Sequence, residues 1–593
     1  MRFRTILRAG AALSILGLAA CVSGEPNVAE EETQPFIDPL ILSQSMCNGK
    51  SPKPISSTPD GDASAASFDY GAPFELPEDV LAQFHYPIST TSDDAQRWFD
   101  TGMSHMVNFN HDEAIAAFRA AQASDPDCAM CYWGEGLSFG SNINYPYDPD
   151  RGAAGRVATD GAMARLSGTS DRESALIQAL DQRYTVTETD GTIESAAAFA
   201  DAMDDVARTF PTDKFVLSFA AEANMDTQPW DYWEADARLG KGRTARTLEM
   251  LETALDFDPD FAPAIHLYIH ITESSVDPFR AESYADRLAN QSLGVGHLVH
   301  MPSHIYLRIG EWKKSRDANI DAIAADEAYI AASSNADIYG AIYYPHNVHF
   351  VAASSQFAGD AETAKRMADK LAQVANLDPE TFDPFGEHIA ASRVFSNLLF
   401  DTDETVLEEP EPAAGHIYMR NAWHYARGTV FARQGNIDEA EGELAALATL
   451  SRADGFTDYA DLYGVPLTGI IDVASLTLEG RIFAAKNDLS SAIDRLEAAS
   501  AAEAQLSYFE PTWWYYPTRQ TLGMYLLMDR QYDRAEREFF KTLIKAPNNA
   551  YALYGLAETF RLKGEHSSEA YARKLFTDAW MGEAGTSPKL DRL

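Results

Sequence analysis

The stretch SDDAQRWFDTGMSHMVNFNHDEAIAAFRAAQASDPD, residues 92–127, predicts two antiparallel helices joined by a turn. A small residue, two alanines, a phenylalanine and a proline stand at regular positions in it: Gly102, Ala114, Phe118, Ala121 and Pro126. The helix that follows brings Gly136 to the place in the next period that Gly102 holds in the first. A period of about 34 residues with these residue types is typical of helix-pair repeats that stack on one another.

Two windows nearer the C-terminus repeat this spacing. In LGMYLLMDRQYDRAEREFFKTLIKAP, residues 522–547, the matching residues are Gly523, Ala535, Phe539 and Pro547. In HYARGTVFARQGNIDEAEGELAALA, residues 424–448, they are Gly428, Ala440 and Leu444. These windows resemble the tetratricopeptide repeat (TPR). Each helix pair of such a repeat has an apolar face that needs a neighbour, so the pairs stack into a solenoid.

The rest of the sequence predicts no second fold class. It has no β-branched strands alternating with helices, and no glycine-rich phosphate loop. We therefore expect an all-α protein, a TPR-type α-solenoid built as a superhelix of antiparallel helix pairs, over residues 91–593. At about 34 residues a pair, roughly a dozen pairs would fit.

The N-terminus, MRFRTILRAGAALSILGLAAC, has the layout of a secretory signal. Arg2, Arg4 and Arg8 precede an apolar run too short to span a bilayer. Residues 18–21, LAAC, resemble the bacterial lipobox, which implies a signal peptide over residues 1–21 and a lipid on Cys21. The alternative is an ordinary signal in which Cys21 is incidental.

The lipobox resemblance also predicts where the protein resides. Val22 follows the cysteine, and by resemblance this favours sorting to the outer membrane. We expect a bacterial envelope protein attached to the membrane through the anchor at Cys21, on the periplasmic side. Residues 22–90 are rich in Glu, Pro, Ser, Thr, Asp and Gly, and are predicted to be a flexible tether.

Charge and cysteine content exclude some partners. The net charge of −42 repels nucleic acid, so we expect no DNA or RNA partner. It would also draw cations towards a groove that carries metal ligands. Cys128 and Cys131 form a single CxxC, which is a weak zinc signal. A local disulfide and a pair of small buried residues are both compatible with it.

Histidine is concentrated in one part of the chain. GVGHLVHMPSHIYLRIG, residues 294–310, holds three of the 14 histidines. His266 and His270 stand four apart, as do His300 and His304, and the second pair follows the first by one repeat length. Residues four apart share a helix face. A shift of one repeat therefore points both pairs the same way on neighbouring helices.

The resemblance to TPR proteins implies that these residues line the concave groove, at positions two, five, nine and twelve of the first helix. Seven histidines between residues 266 and 349 fall on such positions: His266, His270, His297, His300, His304, His346 and His349. Glu273 is at position twelve of its repeat. Pro302 lies inside the second pair, so that helix is expected to begin late or to bend.

Matched histidine pairs on neighbouring helices predict a transition-metal site. Helix axes about 8–10 Å apart can be bridged by two imidazoles, and neutral imidazole suits Zn, Fe and Cu. The expected ligands are His266, His270, His300 and His304, with His297, His346, His349 and Glu273 as further ligands or supporting residues. Leu267 and Met301 follow the first histidine of each pair, so the HExxH zinc-protease arrangement is excluded.

Five longer phrases also resemble a family of long bacterial TPR lipoproteins with a histidine-rich signature. They are GMSHMVNFNHDEAIAAFRAAQASDPDCAMCYWG, LYIHITE, GHLVHMPSHIYLRIG, YYPHNVHF and WWYYPTRQTLG. The resemblance covers most of residues 95–575. It implies an α-solenoid with a shared histidine-rich site, and it supplies no substrate.

Three functions are compatible with these features. A metal-dependent enzyme would use zinc for hydrolysis, or iron or copper for oxidation. A non-catalytic scaffold would hold a peptide, protein or small-molecule ligand in its groove. The third is a metal carrier or store. Storage of copper(I) would favour Met and Cys ligands, whereas this cluster is rich in imidazole.

Overall fold

A computed structural model describes residues 70–589 and Arg592, apart from 146, 186–193, 292, 376, 378–383 and 462–463. The predicted signal peptide with Cys21, and residues 22–69 of the predicted tether, lie outside the described residues. Within them there is no β-strand, only isolated bridges at Asn142–Tyr145 and Trp233–Gly240. No helix in this part of the chain is both long enough and apolar enough to cross a membrane.

Helices follow one another through the N-terminal part of the described residues, and the first of them lies within residues 22–90, the predicted tether. They are α1 Glu78–Phe84, α2 Asp93–Val107, α3 His111–Ser124, α4 Ala129–Phe139, α5 Pro149–Met163, α6 Asp171–Arg183, α7 Ala196–Thr209, α8 Lys214–Met225 and α9 Thr244–Phe257. A disulfide joins Cys128 to Cys131 at the start of α4, where both residues are buried.

The middle of the chain is less regular and contains the histidine-rich segment. Its helices are α10 Ala262–Glu273, α11 Glu282–Leu288, α12 Gly296–His300, α13 Pro302–Ile309, α14 Trp312–Ala332, α15 Asp337–Ala341, α16 Tyr343–Ala358, α17 Ala361–Val374 and α18 Pro384–Phe400. A 3₁₀ turn, Pro278–Ala281, precedes α11.

Regular pairs return towards the C-terminus. They are α19 Asp403–Glu408, α20 Ile417–Gln434, α21 Ile437–Leu450, α22 Asp458–Asp461, α23 Leu467–Ala485, α24 Leu489–Glu503, α25 Thr518–Met528, α26 Tyr532–Lys545, α27 Ala550–Lys563 and α28 His566–Ala579.

Glycine and phenylalanine set the close packing of the repeat. The ring of Phe118 on α3 fills the space between Gly102 on α2 and Gly134 on α4. A Cβ atom at Gly102 would lie 2.6 Å from that ring, and one at Gly134 closer still. The same contact recurs near the C-terminus among Phe539, Gly523 and Gly555. The prediction of an all-α TPR solenoid is confirmed.

Gly136, which the repeat spacing singles out, does not share this contact. It packs instead against Thr159 and Leu180. The ring of Phe118 meets α4 half a turn earlier, at Gly134.

Proline 302 interrupts the histidine-bearing helix as expected. Helix α12 ends at His300 and α13 begins at Pro302, with the proline in the first helical turn. Met301 between them keeps right-handed helical angles, φ −49° and ψ −40°. The chain therefore continues in nearly the same direction, although proline has no backbone N–H to donate.

An early part of the solenoid packs against its middle. In the turn after α2, the side-chain oxygen of Asn108 accepts a hydrogen bond from the backbone of Leu298 at 3.0 Å. Glu113 on α3 is fully buried and accepts hydrogen bonds from Tyr329 and Ser333 on and after α14. These contacts place the turn at residues 108–110 over the start of α12.

The C-terminal part of the chain packs against the middle through a second set of contacts. Leu307, Trp312 and Phe350 belong to an apolar cluster against which Ala546 and Met581 pack. The backbone of Met581 donates to the carbonyl of Ala358 at 2.8 Å. The connection between α24 and α25, residues 504–517, carries Glu510 to His304. The histidine-bearing helices are thus covered by two distant parts of the chain.

Candidate metal centre

Four helices carry the seven predicted histidines, and six of these side chains meet in one buried region. Helix α10 carries His266 and His270, α12 carries His297 and His300, α13 carries His304, and α16 carries His346 and His349. Six of the seven are at most 5% exposed, and His346 is half-buried. An open groove was expected at these positions. Instead, residues 108–110 and 508–516 lie over them, so the imidazoles are withdrawn from solvent.

The first triad consists of His266, His270 and His297. One nitrogen from each lies within 4.8 Å of the others. The Nε2 atoms of His266 and His297 are 3.1 Å apart. A hydrogen bond with the backbone of Val107 also involves His266.

Two aromatic residues cap the first triad, and both have unusual backbone angles. Phe109 lies 4.5 Å from His266, 5.8 Å from His270 and 5.2 Å from His297, measured between ring centroids. Trp230 meets His270 edge-on at 5.2 Å. Their φ angles are +55° and +61°. Bulky residues rarely adopt positive φ, and such strain clusters at functional sites.

The second triad consists of His300, His304 and His346. The Nε2 atoms of His300 and His304 are 2.8 Å apart, and His346 lies 4.9 Å from His300 between ring centroids. Phe350 contacts all three rings at 4.8–4.9 Å. Each triad therefore has a phenylalanine against all of its members.

Outer hydrogen bonds fix the orientation of two rings in the second triad. Asn319 donates through its amide nitrogen to the carbonyl of Ser315, so its oxygen must face His300. Nδ1 of His300 therefore carries the proton and donates to that oxygen at 2.6 Å. Nδ1 of His304 donates to Glu510 at 2.8 Å. Histidines that bind metal usually donate their other N–H to an oxygen in this way.

With both Nδ1 protons engaged, the two Nε2 atoms present lone pairs to each other. Either an additional proton or a cation must lie between them. In a tetrahedral site with bonds of about 2.0–2.1 Å, neighbouring ligand nitrogens are about 3.3–3.4 Å apart. The observed separations of 2.8 and 3.1 Å are shorter than that value, so the rings would have to move apart by about 0.2–0.6 Å to hold an ion.

Several buried nitrogens of the first triad have no hydrogen-bond partner within the described part of the chain. They are both ring nitrogens of His270 and Nδ1 of His297. Oε1 of Glu273 lies 3.7 Å from Nδ1 of His270, beyond hydrogen-bond distance. A buried polar atom left without a partner costs about 1–3 kcal/mol. Such groups call for a water, a ligand or an ion.

Burial sets the charge of most of these imidazoles. It holds the pKa values of His266, His297 and His300 well below the ordinary range, with the neighbouring histidines adding to the effect. They are neutral at pH 7, which is the form that binds metal. His304 differs. Burial opposes its charge, but Glu273 and Glu510 raise its pKa to about 10, so a proton competes with a metal ion there.

His349 lies apart from both triads. Its Nε2 is hydrogen-bonded to the hydroxyl of Tyr515, and its ring packs 5.1 Å from that of His388. His388 in turn is bonded through Nδ1 to the hydroxyl of Tyr418 at 2.7 Å. Among the predicted residues, the structure brings six histidines and Glu273 together and directs His349 towards α18.

Sequence reasoning missed Glu510, Asn319 and Phe109. Glu510 stands 206 residues after His304. Its only local signal is an aromatic-rich connection, SYFEPTWWYY, in which one carboxylate is surrounded by large rings. Asn319 and Phe109 have no such signal, because their role depends on which helices meet.

Comparisons with known proteins identify the repeat. A tetratricopeptide-repeat family model matches residues 521–582, the region where Phe539 packs between two glycines. These residues of the chain therefore contain a tetratricopeptide repeat. No curated protein matches it.

Several solved structures have low similarity to this chain. The human IFIT1 dimer with m7Gppp-AAAA is 12% identical over 84% of this chain and 93% of that chain, with a TM-score of 0.29. The APC/C hetero-tetramer Cut9–Hcn1 is 13% identical over 83% of this chain and 74% of that chain, with a TM-score of 0.28. The P58(IPK) TPR domain is 11% identical over 80% of this chain and 99% of that chain, with a TM-score of 0.21. Scores this low support no inference about function.

Proposed function

We propose that this protein binds transition-metal ions, zinc, iron or copper, through its two buried histidine triads. One observation carries the proposal. Nε2 atoms face each other at 2.8 Å in the second triad, while the Nδ1 atoms of His300 and His304 are already committed to Asn319 and Glu510. Imidazoles oriented in this way can share a metal ion once it displaces the proton that His304 otherwise carries.

The donor set fits such an ion. Neutral imidazole nitrogens suit zinc, iron and copper, and carboxylates beside them balance a positive charge. Cys128 and Cys131 are joined to each other and supply no thiolate. The residues that would hold the ions are His266, His270 and His297 in one triad, and His300, His304 and His346 in the other. Glu273 and Glu510 lie beside His304.

The number of histidine ligands in each triad is typical of a catalytic metal site. Three histidines leave a coordination position free, as in catalytic zinc sites, where that position takes water or substrate. A metal held here would supply hydrolysis if it were zinc, or oxidation if it were iron or copper. The protein itself contributes the orientation of the imidazoles and the exclusion of bulk water by Phe109 and Phe350.

A partner-binding scaffold is the other function expected of a TPR solenoid. The histidine-bearing helices are covered by residues 108–110 and 508–516 of the same chain. A peptide or protein partner would therefore bind elsewhere on the solenoid, or would first displace these segments.

We further propose that the protein is attached to the bacterial outer membrane through a lipid on Cys21, facing the periplasm. The lipobox at residues 18–21 supports this. The disulfide between Cys128 and Cys131 also suits an oxidising compartment.

Elemental analysis of protein purified without an affinity tag tests the metal proposal. We expect zinc, iron or copper in the wild type, and none after His270→Ala and His304→Ala are combined, with helix content nearly unchanged. His424→Ala is the matched control, because His424 is buried and bonded to Glu443 outside both triads. If the wild type stays metal-free after incubation with each ion, the scaffold function takes its place.

A further inference from the structure

The two triads differ in the charge that surrounds them. At the second, Oε2 of Glu510 and Oε2 of Glu273 lie 2.8 and 3.0 Å from Nδ1 of His304. Both carboxylates are at most 3% exposed. At the first, Oε1 of Glu273 lies 3.7 Å from Nδ1 of His270, and Phe109 and Trp230 pack against the ring of His270.

A buried cation is stable only where opposite charge compensates it, because water no longer does. Two carboxylates next to one ligand histidine compensate much of the charge of a divalent ion. The guanidinium of Arg308, 4.0 Å from Oε1 of Glu510, offsets part of the charge of one carboxylate, and Glu273 and Glu510 together still exceed it. The first triad has Glu273 in common with the second, and its capping rings carry no charge. An ion there is therefore balanced mainly by a carboxylate that the second site already uses.

The two sites are also close enough to repel each other when both are filled. The rings of His270 and His304 are 5.8 Å apart, and those of His297 and His300 are 6.1 Å apart. Charges in a buried region are weakly screened. A second divalent ion would thus enter against the field of the first.

We infer that the second triad binds its divalent ion first and tightly, and that the first triad takes an ion only at higher concentration. This rests on the proposed function. Glu510 acts through His304 as a positioning and charge-balancing residue, while Glu273 couples the two sites.

A competition titration of metal-depleted full-length protein with Zn²⁺ and a chromophoric chelator tests the order. The wild type should show two classes of site, with affinities at least about tenfold apart. Glu510→Gln should weaken the tight class by about 10–100-fold, the usual effect of losing such an outer hydrogen bond. Glu443→Gln is the matched control, since Glu443 accepts from Nδ1 of His424 at 2.6 Å in the same manner, and it should change neither class.

Single ligand variants keep the test decisive if Glu510→Gln does not fold. His346→Ala removes the half-buried member of the second triad and should abolish the tight class. His270→Ala removes a ring without hydrogen-bond partners and should abolish only the weak class. Three results would each overturn the inference. The wild type could show two classes of equal affinity, His270→Ala could lose the tight class, or the wild type could bind a single ion whose affinity His270→Ala does not change. Absence of any zinc binding would instead refute the proposed function.

Discussion

A substitution of Asn319 best distinguishes a metal site from a cluster of histidines that are only buried together. Asn319 is hydrogen-bonded to Nδ1 of His300 at 2.6 Å and belongs to neither triad. Asn319→Ala removes the acceptor that fixes the tautomer of His300. The lone pair at Nε2 of His300 is then no longer held towards His304, so metal binding should weaken.

The structure sets the size of both effects. Losing an outer acceptor of this kind weakens metal binding by about 10–100-fold, which is about 1.4–2.7 kcal/mol. The cost to the metal-free fold is smaller. The hydroxyl of Ser303 lies 3.2 Å from Nδ1 of His300 and can form a hydrogen bond with it, but a hydroxyl can donate as well as accept, so it does not fix the tautomer as the amide oxygen of Asn319 does. We expect a loss of about 1 kcal/mol in the free energy of unfolding, the low end for a disrupted buried hydrogen bond.

The assay is the chelator competition titration, with chemical denaturation of the metal-depleted protein alongside it. Asn319→Asp keeps an acceptor for His300 and should retain tight binding. Asn397→Ala is the control, because Asn397 is also buried but donates to Glu409 instead of supporting a triad. If Asn319→Ala binds metal as tightly as Asn397→Ala does, the tautomer argument is wrong.

Further predictions concern pH, packing and the N-terminus. Burial lowers the pKa values of His111 and His388 to about 3; because the unfolded chain binds these protons from about pH 6.5, each histidine should reduce stability by about 1.4 kcal/mol per pH unit as pH drops below 6.5. Burial raises the pKa values of Glu222 and Asp326 to about 7, and these carboxyls act in the opposite direction. Denaturation of metal-depleted wild type and His388→Gln at pH 7 and 5 measures the contribution of His388. The variant should lose less stability than the wild type between the two pH values, and an equal change in both would contradict the expectation. Metal occupancy should also fall steeply below about pH 6, as measured by elemental analysis after dialysis, because protons displace the ion from imidazole. Gly134→Ala should destabilise the fold by about 1–3 kcal/mol, because its new Cβ overpacks against Phe118. Gly442→Ala is the control: nothing lies within 4 Å of its new Cβ, and it should stabilise the fold by about 0.5–1 kcal/mol. Equal changes in the free energy of unfolding of the two variants would refute this expectation. Cells fed an alkyne fatty acid should label the wild type but not Cys21→Ser, and equal labelling would show that the lipobox is not used.

The sequence by itself determined the repeat, because a tetratricopeptide unit is specified by contacts within a single repeat and its immediate neighbour. Phe118 needs small residues on the helices before and after it, and these lie close in the chain. The histidine pairs followed from the same local rule. His266 with His270 and His300 with His304 share helix faces one repeat apart, and they do converge.

Only the tertiary structure decided what surrounds those histidines. Glu510 and Phe109 come from parts of the chain far from the rings they contact, and no local pattern encodes such a meeting. The separation of His346 from His349 has the same origin. Helix α16 passes between the triads and α18, so one of its histidines joins His300 and the other joins His388. Spacing along a helix determines which side chains can share a face, but the charge, burial and partners of a site depend on which distant segments pack over it.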